Sequence, residues 1–207
     1  MARSRRSRTV RARRPIATVS PAARRSPPAA SRQPAPAVRP RLGARALDLV
    51  AAGIRLLVLD VDGVLTDGRL HYDERGERLK VFHVRDGYGI RALGRCGVTF
   101  AIISGRRARA VERRARDLGI AHVLQGIDDK LAAFERLRAR LGVPHAQVAC
   151  VGDDTPDVAV MRAVGLAFAV ADAHEDALAA ADVITHTPGG HGAVREICDR
   201  LLAARGR

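Results

Sequence analysis

A chain of 207 residues is long enough for one domain with its own core, and 3 % aromatic content without tryptophan leaves that core to Ala, Val, Leu and Ile. Three scattered cysteines, Cys96, Cys150 and Cys198, lack metal-ligand spacing, which argues against a disulfide framework or a zinc site and points to a reducing cytoplasm; no apolar run approaches the ~20 residues of a membrane span. The net charge of +14 is carried mostly by residues 1–40, which hold eleven arginines and no acid and leave +3 for the rest, so the basicity does not make the remainder a nucleic-acid binder.

Residues 1–40 are built from Arg, Pro, Ala and Ser without hydrophobic period. Such a segment buries too little apolar surface to offset its ordering entropy, so a disordered tail is expected, able to bind polyanions nonspecifically or to act as a targeting peptide. Residues 41–53 read as a linker or short helix, and 54–207 as the folded domain. From there apolar runs at 55–60, 98–103, 147–151, 166–170 and 182–184 alternate with helical spacing at 87–95, 107–118, 129–141, 156–164, 174–180 and 192–204. That alternation predicts βαβ units around a parallel sheet, an α/β fold. Two short runs, 69–73 and 78–84, flank Glu74-Arg75-Gly76-Glu77 and read as a β-hairpin placed directly after the first strand.

The chemistry sits where the strands end. The first strand runs into Asp60-Val61-Asp62-Gly63-Val64-Leu65-Thr66, and ligand sites of open α/β sheets lie at the carboxyl ends of strands. Two acids two residues apart can divide labour, one attacking phosphorus and the other protonating the leaving oxygen. The next strand ends in Ile102-Ile103-Ser104-Gly105-Arg106, where a hydroxyl and backbone N–H groups before a helix can cradle phosphate oxygens; a plain N-cap is the alternative. Lys130 is one of two lysines against 34 arginines. A compact ammonium bridges a carboxylate and a phosphoryl oxygen where a guanidinium does not fit, against the alternative of a solvated helix residue. Finally, 147–151 leads into Gly152-Asp153-Asp154-Thr155-Pro156-Asp157. Its carboxylates suit a hard cation, with Asp153 as the direct ligand and Asp154 or Asp157 orienting ligand waters or capping the helix.

These four motifs, in this order, resemble those of the haloacid dehalogenase superfamily across about 54–204. The resemblance implies a Rossmann-like fold, Asp60 as nucleophile, Asp62 as acid/base, Ser104 and Lys130 on the phosphoryl group, and Mg²⁺ held by Asp60, the Asp62 carbonyl and Asp153. An acid at position 62 marks the phosphatase branch, and the short stretch between Asp60 and Ser104 implies a capless member with a hairpin flap. Asp60–Leu70, Phe82–Gly89, Val170–His174 and Gly189–Glu196 are further similar to the 3-deoxy-D-manno-octulosonate 8-phosphate phosphatase family. That likeness implies an anionic sugar-phosphate substrate and a cytoplasmic homotetramer whose sites are shaped by a neighbouring subunit. It also implies substrate contacts from Asp62, His83, Val84, Arg85, Asp86, Gly87, Arg106, Arg114, Lys130 and position 191, where His191 replaces the usual long basic residue. A phosphatase for nine-carbon 2-keto sugar acid 9-phosphates and a non-catalytic oligomerisation module are the alternatives.

Overall fold

The computed structural model describes residues 43–206, so the expected disordered tail lies outside the described residues. Helix α1 (Ala44–Gly53) precedes strand β1 (Leu56–Leu59). A two-stranded antiparallel hairpin follows, β2 (His71–Asp73) and β3 (Gly76–Leu79), and then α2 (Val84–Arg95). The chain continues through β4 (Thr99–Ser104), α3 (Arg109–Leu118), β5 (His122–Gln125) and α4 (Lys130–Leu141). A 3-10 turn at His145–Gln147 leads to β6 (Val148–Gly152), α5 (Thr155–Ala163), β7 (Leu166–Ala169), α6 (Glu175–Ala180), β8 (Val183–Ile184) and α7 (Ala193–Ala203).

Six strands form one parallel sheet in the order β5-β4-β1-β6-β7-β8. This is the expected α/β architecture, and its cause is visible in β1. Leu57 and Leu59 point into one core, with Ile90 and Leu93 of α2, Val111 of α3 and Val194 and Ile197 of α7. Leu56 and Val58 point into the other, with Phe134 and Leu137 of α4, Val160 and Met161 of α5 and Ala177 of α6. Both faces of the strand are buried, so it reads as an unbroken apolar run, as strands covered by crossover helices do. Removing a fully buried ring such as Phe134 by substitution to Ala costs about 3–5 kcal/mol in sites of this kind. Helix α1 belongs to the same body: Leu47 and Ala51 are buried in the first core, and the Arg205 guanidinium donates to the carbonyls of Ala51, Ile54 and Leu201.

Three elements depart from the sequence reading. Strand β5 was not expected; it is four residues long, lies at the sheet edge and is only partly buried, too short for a periodic signal. The second hairpin strand stops at Leu79 rather than 84, and α2 starts at Val84 rather than 87. Helix α2 gains its first turn because the His83 side chain accepts from the Arg85 N–H as an N-cap and Asp86 sits in that turn. Gly87 and Gly89 hide this start from propensity.

The chain leaves β1 toward β4 and β5 on one side, then crosses to β6, β7 and β8 on the other. The strand order therefore reverses between β1 and β6, and the crevice at their carboxyl ends is where such sheets bind ligands.

Candidate active site

Asp60 is the first residue past β1, still tied to the sheet by its N–H to the Val151 carbonyl at 3.2 Å. The chain then turns tightly: the Val61 carbonyl accepts from the N–H groups of Val64, Leu65 and Thr66 at 3.3, 3.0 and 3.0 Å. Gly63 adopts φ +93°, and a Cβ there would run into the Asp153 carboxylate. Glycine at 63 thus brings the turn after Asp60 against the acidic loop after β6, where a side chain would push them apart. The same turn is pressed from outside by Gly189 and Gly190. Gly190 donates to the Val64 carbonyl at 3.0 Å, and a Cβ on either glycine would collide with backbone of Gly63, Thr66 or Asp67.

Lys130, the first residue of α4, is buried and places its ammonium 2.9 Å from Asp60 Oδ1 and 2.8 Å from Asp157 Oδ1. Asp60, Asp153 and Asp157 offer carboxylate oxygens that all lie within 4.8 Å of one another. Three carboxylates around one ammonium leave an excess of negative charge in a desolvated place. Burial, with the Asp157 charge added, pushes the Asp60 carboxyl up to about 6 against the pull of Lys130. Burial together with Asp60 and Asp157 pushes Asp153 up to about 8. Asp153 Oδ1 is buried without a hydrogen-bond partner among the described residues. An all-oxygen donor set with an orphaned carboxylate oxygen fits a hard divalent cation, whose charge would return these acids to their ionised forms.

Ser104, the last residue of β4, is buried, and its hydroxyl accepts from the Arg106 N–H at 3.3 Å. Its carbonyl accepts from Ile127, and the Arg106 carbonyl from Gly126, so the loop before α3 is laced to the loop before α4. Gln125 adds a bond from the Ala108 N–H to its side-chain oxygen at 2.8 Å. The result is a cavity of about 370 Å³ lined among others by Asp60, Asp62, Ser104, Arg106, Lys130 and Asp153.

The expected catalytic and metal residues Asp60, Asp62, Ser104, Lys130 and Asp153 thus converge on one cavity, with Arg106, Asp154 and Asp157 on its wall. Asp154 caps α5, its carboxylate accepting from Thr155 N–H at 2.7 Å, whereas Asp157 stands in the carboxylate cluster itself. The remaining expected substrate residues do not line this cavity within one chain. His83, Val84, Arg85, Asp86 and Gly87 form the start of α2. Asp86 is buried and accepts from the Arg195 N–H at 2.8 Å, which caps α7. Gly87 leaves room for the Arg114 guanidinium, which donates to the His83 carbonyl at 3.4 Å and stands 6.0 Å from the Phe82 ring centre. His191 is exposed in the turn before α7.

Sequence reasoning passed over Lys80 and Glu77. The Lys80 side chain is buried, contacts Asp62 Oδ1 and lies 2.7 Å from Glu77 Oε1; Glu77 Oε2 is 2.8 Å from the Arg106 guanidinium. The signal was present, since Lys80 is the only lysine besides Lys130.

Comparison with known proteins agrees with this geometry. Residues 121–197 match the model of haloacid dehalogenase-like hydrolases. The chain is 53 % identical over 157 residues to the 3-deoxy-D-manno-octulosonate 8-phosphate phosphatase of Salmonella typhi, covering 76 % of this chain and 84 % of that one. It is 52 % identical over 157 residues to that of Escherichia coli K12, with the same shares covered. Among solved structures, the Moraxella catarrhalis phosphatase of the same name, in complex with magnesium ion, phosphate ion and KDO molecule, superposes with a TM-score of 0.77 at 41 % identity, over 79 % of this chain and 94 % of that one. The Yersinia pestis phosphatase gives 0.75 at 51 % identity over 77 % and 86 %. With the four motifs gathered at the β1/β6 crevice and half of the aligned residues shared, the chain belongs to the 3-deoxy-D-manno-octulosonate 8-phosphate phosphatase family of haloacid dehalogenase-like hydrolases.

Proposed function

We propose that the protein is a magnesium-dependent phosphatase that hydrolyses 3-deoxy-D-manno-octulosonate 8-phosphate to the free sugar acid and phosphate. The observation that carries this reading is the buried Asp60 carboxylate, paired with Lys130 and facing Asp153 and Asp157, with a second acid two residues further on. An Asp60 oxygen attacks phosphorus while the bond from phosphorus to the sugar oxygen breaks, and Asp62 gives that oxygen its proton. Water then attacks the aspartyl-phosphate, Asp62 takes up a water proton, and the bond to Asp60 breaks to release phosphate. Ser104 and Lys130 hold phosphoryl oxygens through both steps. Asp60, Asp153 and the Asp62 carbonyl would hold Mg²⁺, which when bound neutralises charge on the phosphoryl oxygens. The Nε of Arg106 is buried without a partner among the described residues and is free to donate to the substrate anion.

The substrate roles of His83 to Gly87, Arg114 and His191 are assigned to a neighbouring subunit's cavity in a homotetramer. An apolar strip supports this: Leu70, Tyr72, Leu79, Val81, Val84 and Tyr88, on the hairpin and the start of α2, are all exposed, Val84 at 78 %. No helix among the described residues is long and apolar enough to cross a membrane, and the three cysteines are free, which suits a cytoplasmic setting.

The experiment is phosphate release from eight- and nine-carbon 2-keto sugar acid phosphates with Mg²⁺, by wild type and Asp60→Asn. Turnover is expected for the eight-carbon substrate and loss of at least about 100-fold in the variant; comparable turnover by Asp60→Asn overturns the nucleophile assignment, and preference for the nine-carbon acid overturns the substrate.

A further inference from the structure

The hairpin delivers a cation to the acid. Lys80, just past β3, has a side chain only 3 % exposed, and its ammonium bridges Asp62 Oδ1 and Glu77 Oε1. Glu77 in turn holds the Arg106 guanidinium, which also donates to the Tyr72 hydroxyl at 2.9 Å; Tyr72 and Glu77 are cross-strand partners in the hairpin. A continuous line, Asp62–Lys80–Glu77–Arg106, therefore runs from the nucleophile turn to the loop that carries Ser104. The two oxygens of Asp62 are not equivalent in it. Oδ1 is taken by Lys80, while Oδ2 is buried without a hydrogen-bond partner among the described residues.

We propose that Lys80 is a positioning residue for Asp62, holding Oδ1 so that Oδ2 is the atom that hands its proton to the leaving oxygen. An ammonium suits this place because its donors can engage two carboxylates from one compact centre, where a planar guanidinium would impose its own fork. Glu77 shares the Lys80 ammonium, so that charge is not committed to Asp62 alone and Glu77 anchors it from the hairpin side. The competing role is structural: an isolated two-stranded hairpin is marginal in water, and a buried ion pair could serve only to anchor it. The two roles differ in what they do to the first chemical step. As the Asp60 oxygen bonds to phosphorus and the ester bond breaks, an alkoxide leaving group needs the Asp62 proton, whereas p-nitrophenolate leaves without one.

The inference rests on the phosphatase reading above, but its test does not need the natural substrate. kcat/KM is measured for a series of aryl and alkyl phosphates of rising leaving-group pKa, with Mg²⁺ at fixed pH, for wild type, Lys80→Met and Glu77→Gln. In Lys80→Met, p-nitrophenyl phosphate is expected to stay within about 3-fold of wild type while alkyl phosphates fall about 100-fold, so dependence on the leaving group steepens. Glu77→Gln, which spares the ammonium but loosens its anchor and so remains testable if the first variant fails to fold, should steepen it in the same sense by less. A uniform loss across the series in either folded variant, or no loss, overturns the proposal. Should wild type cleave aryl phosphates but no sugar-acid phosphate, the substrate assignment fails while the comparison of slopes still decides the role of Lys80.

Discussion

Asp60 and Asp153 hold their protons more tightly in the fold than a free carboxyl does: their values rise from 3.8 to about 6 and about 8 because both are buried beside other carboxylates. The folded chain therefore binds protons that the unfolded chain has released. Their stabilising contribution is full below pH 3.8 and is lost as pH rises through about 6 and then about 8, in metal-free protein. A divalent cation replaces those protons, so the melting-temperature gain from Mg²⁺ should be larger at about pH 8 than at about pH 5. Scanning fluorimetry with and without Mg²⁺ checks this; an equal gain at both values would remove Asp60 and Asp153 as metal ligands. Much of this cluster was legible because composition made it so. In a chain that uses Arg almost everywhere, a lysine is a choice, and Lys130 lies beside Asp60. Lys80 carried the same signal, but its partner Asp62 is reached only through the fold of the hairpin, which spacing along the chain does not reveal.

At the scale of elements, the glycines before α7 allow the backbone a close approach to another surface. That surface includes the Asp60–Asp67 turn of the same chain, met by Gly189 and Gly190 backbone to backbone. Gly190 has φ +70°, and any Cβ there meets Thr66 and Asp67. Gly190→Ala should cost about 1–2 kcal/mol from the left-handed backbone alone and more from the collision. It should also lower kcat, because the segment it displaces follows directly on Asp60 and Asp62. Urea denaturation and steady-state kinetics on the same preparation test both; stability lost with kcat intact would show that the turn holds its shape unaided. Strand β5 escaped sequence reading, yet it secures the Ser104 loop through Gln125 and the Gly126 and Ile127 N–H groups. A short edge strand leaves no periodic trace, and its worth lies in the bonds at its end.

For the whole molecule, residues 1–40 bring eleven arginines and no acid to a chain whose four motifs begin at Asp60. Deleting them should leave kcat and the assembly measured by light scattering unchanged, while abolishing any salt-sensitive retention on polyanions. Loss of assembly on deletion would make the tail a structural element.

The reversal of strand order between β1 and β6 also sets a schedule. Asp60 and Asp153 become neighbours only when β1 has paired with β6, after β4, β5 and their helices have been made in between. Such non-local pairing closes late, because its loop entropy must be met before its contacts count. A chain in which β1 and β6 have not paired does not bring Asp60 and Asp153 together. Magnesium should accordingly act as a lock, applied after assembly: it is expected to slow unfolding in stopped-flow denaturation while leaving the refolding rate within about 2-fold. Faster refolding with the ion present would mean that the acidic cluster forms before the sheet closes.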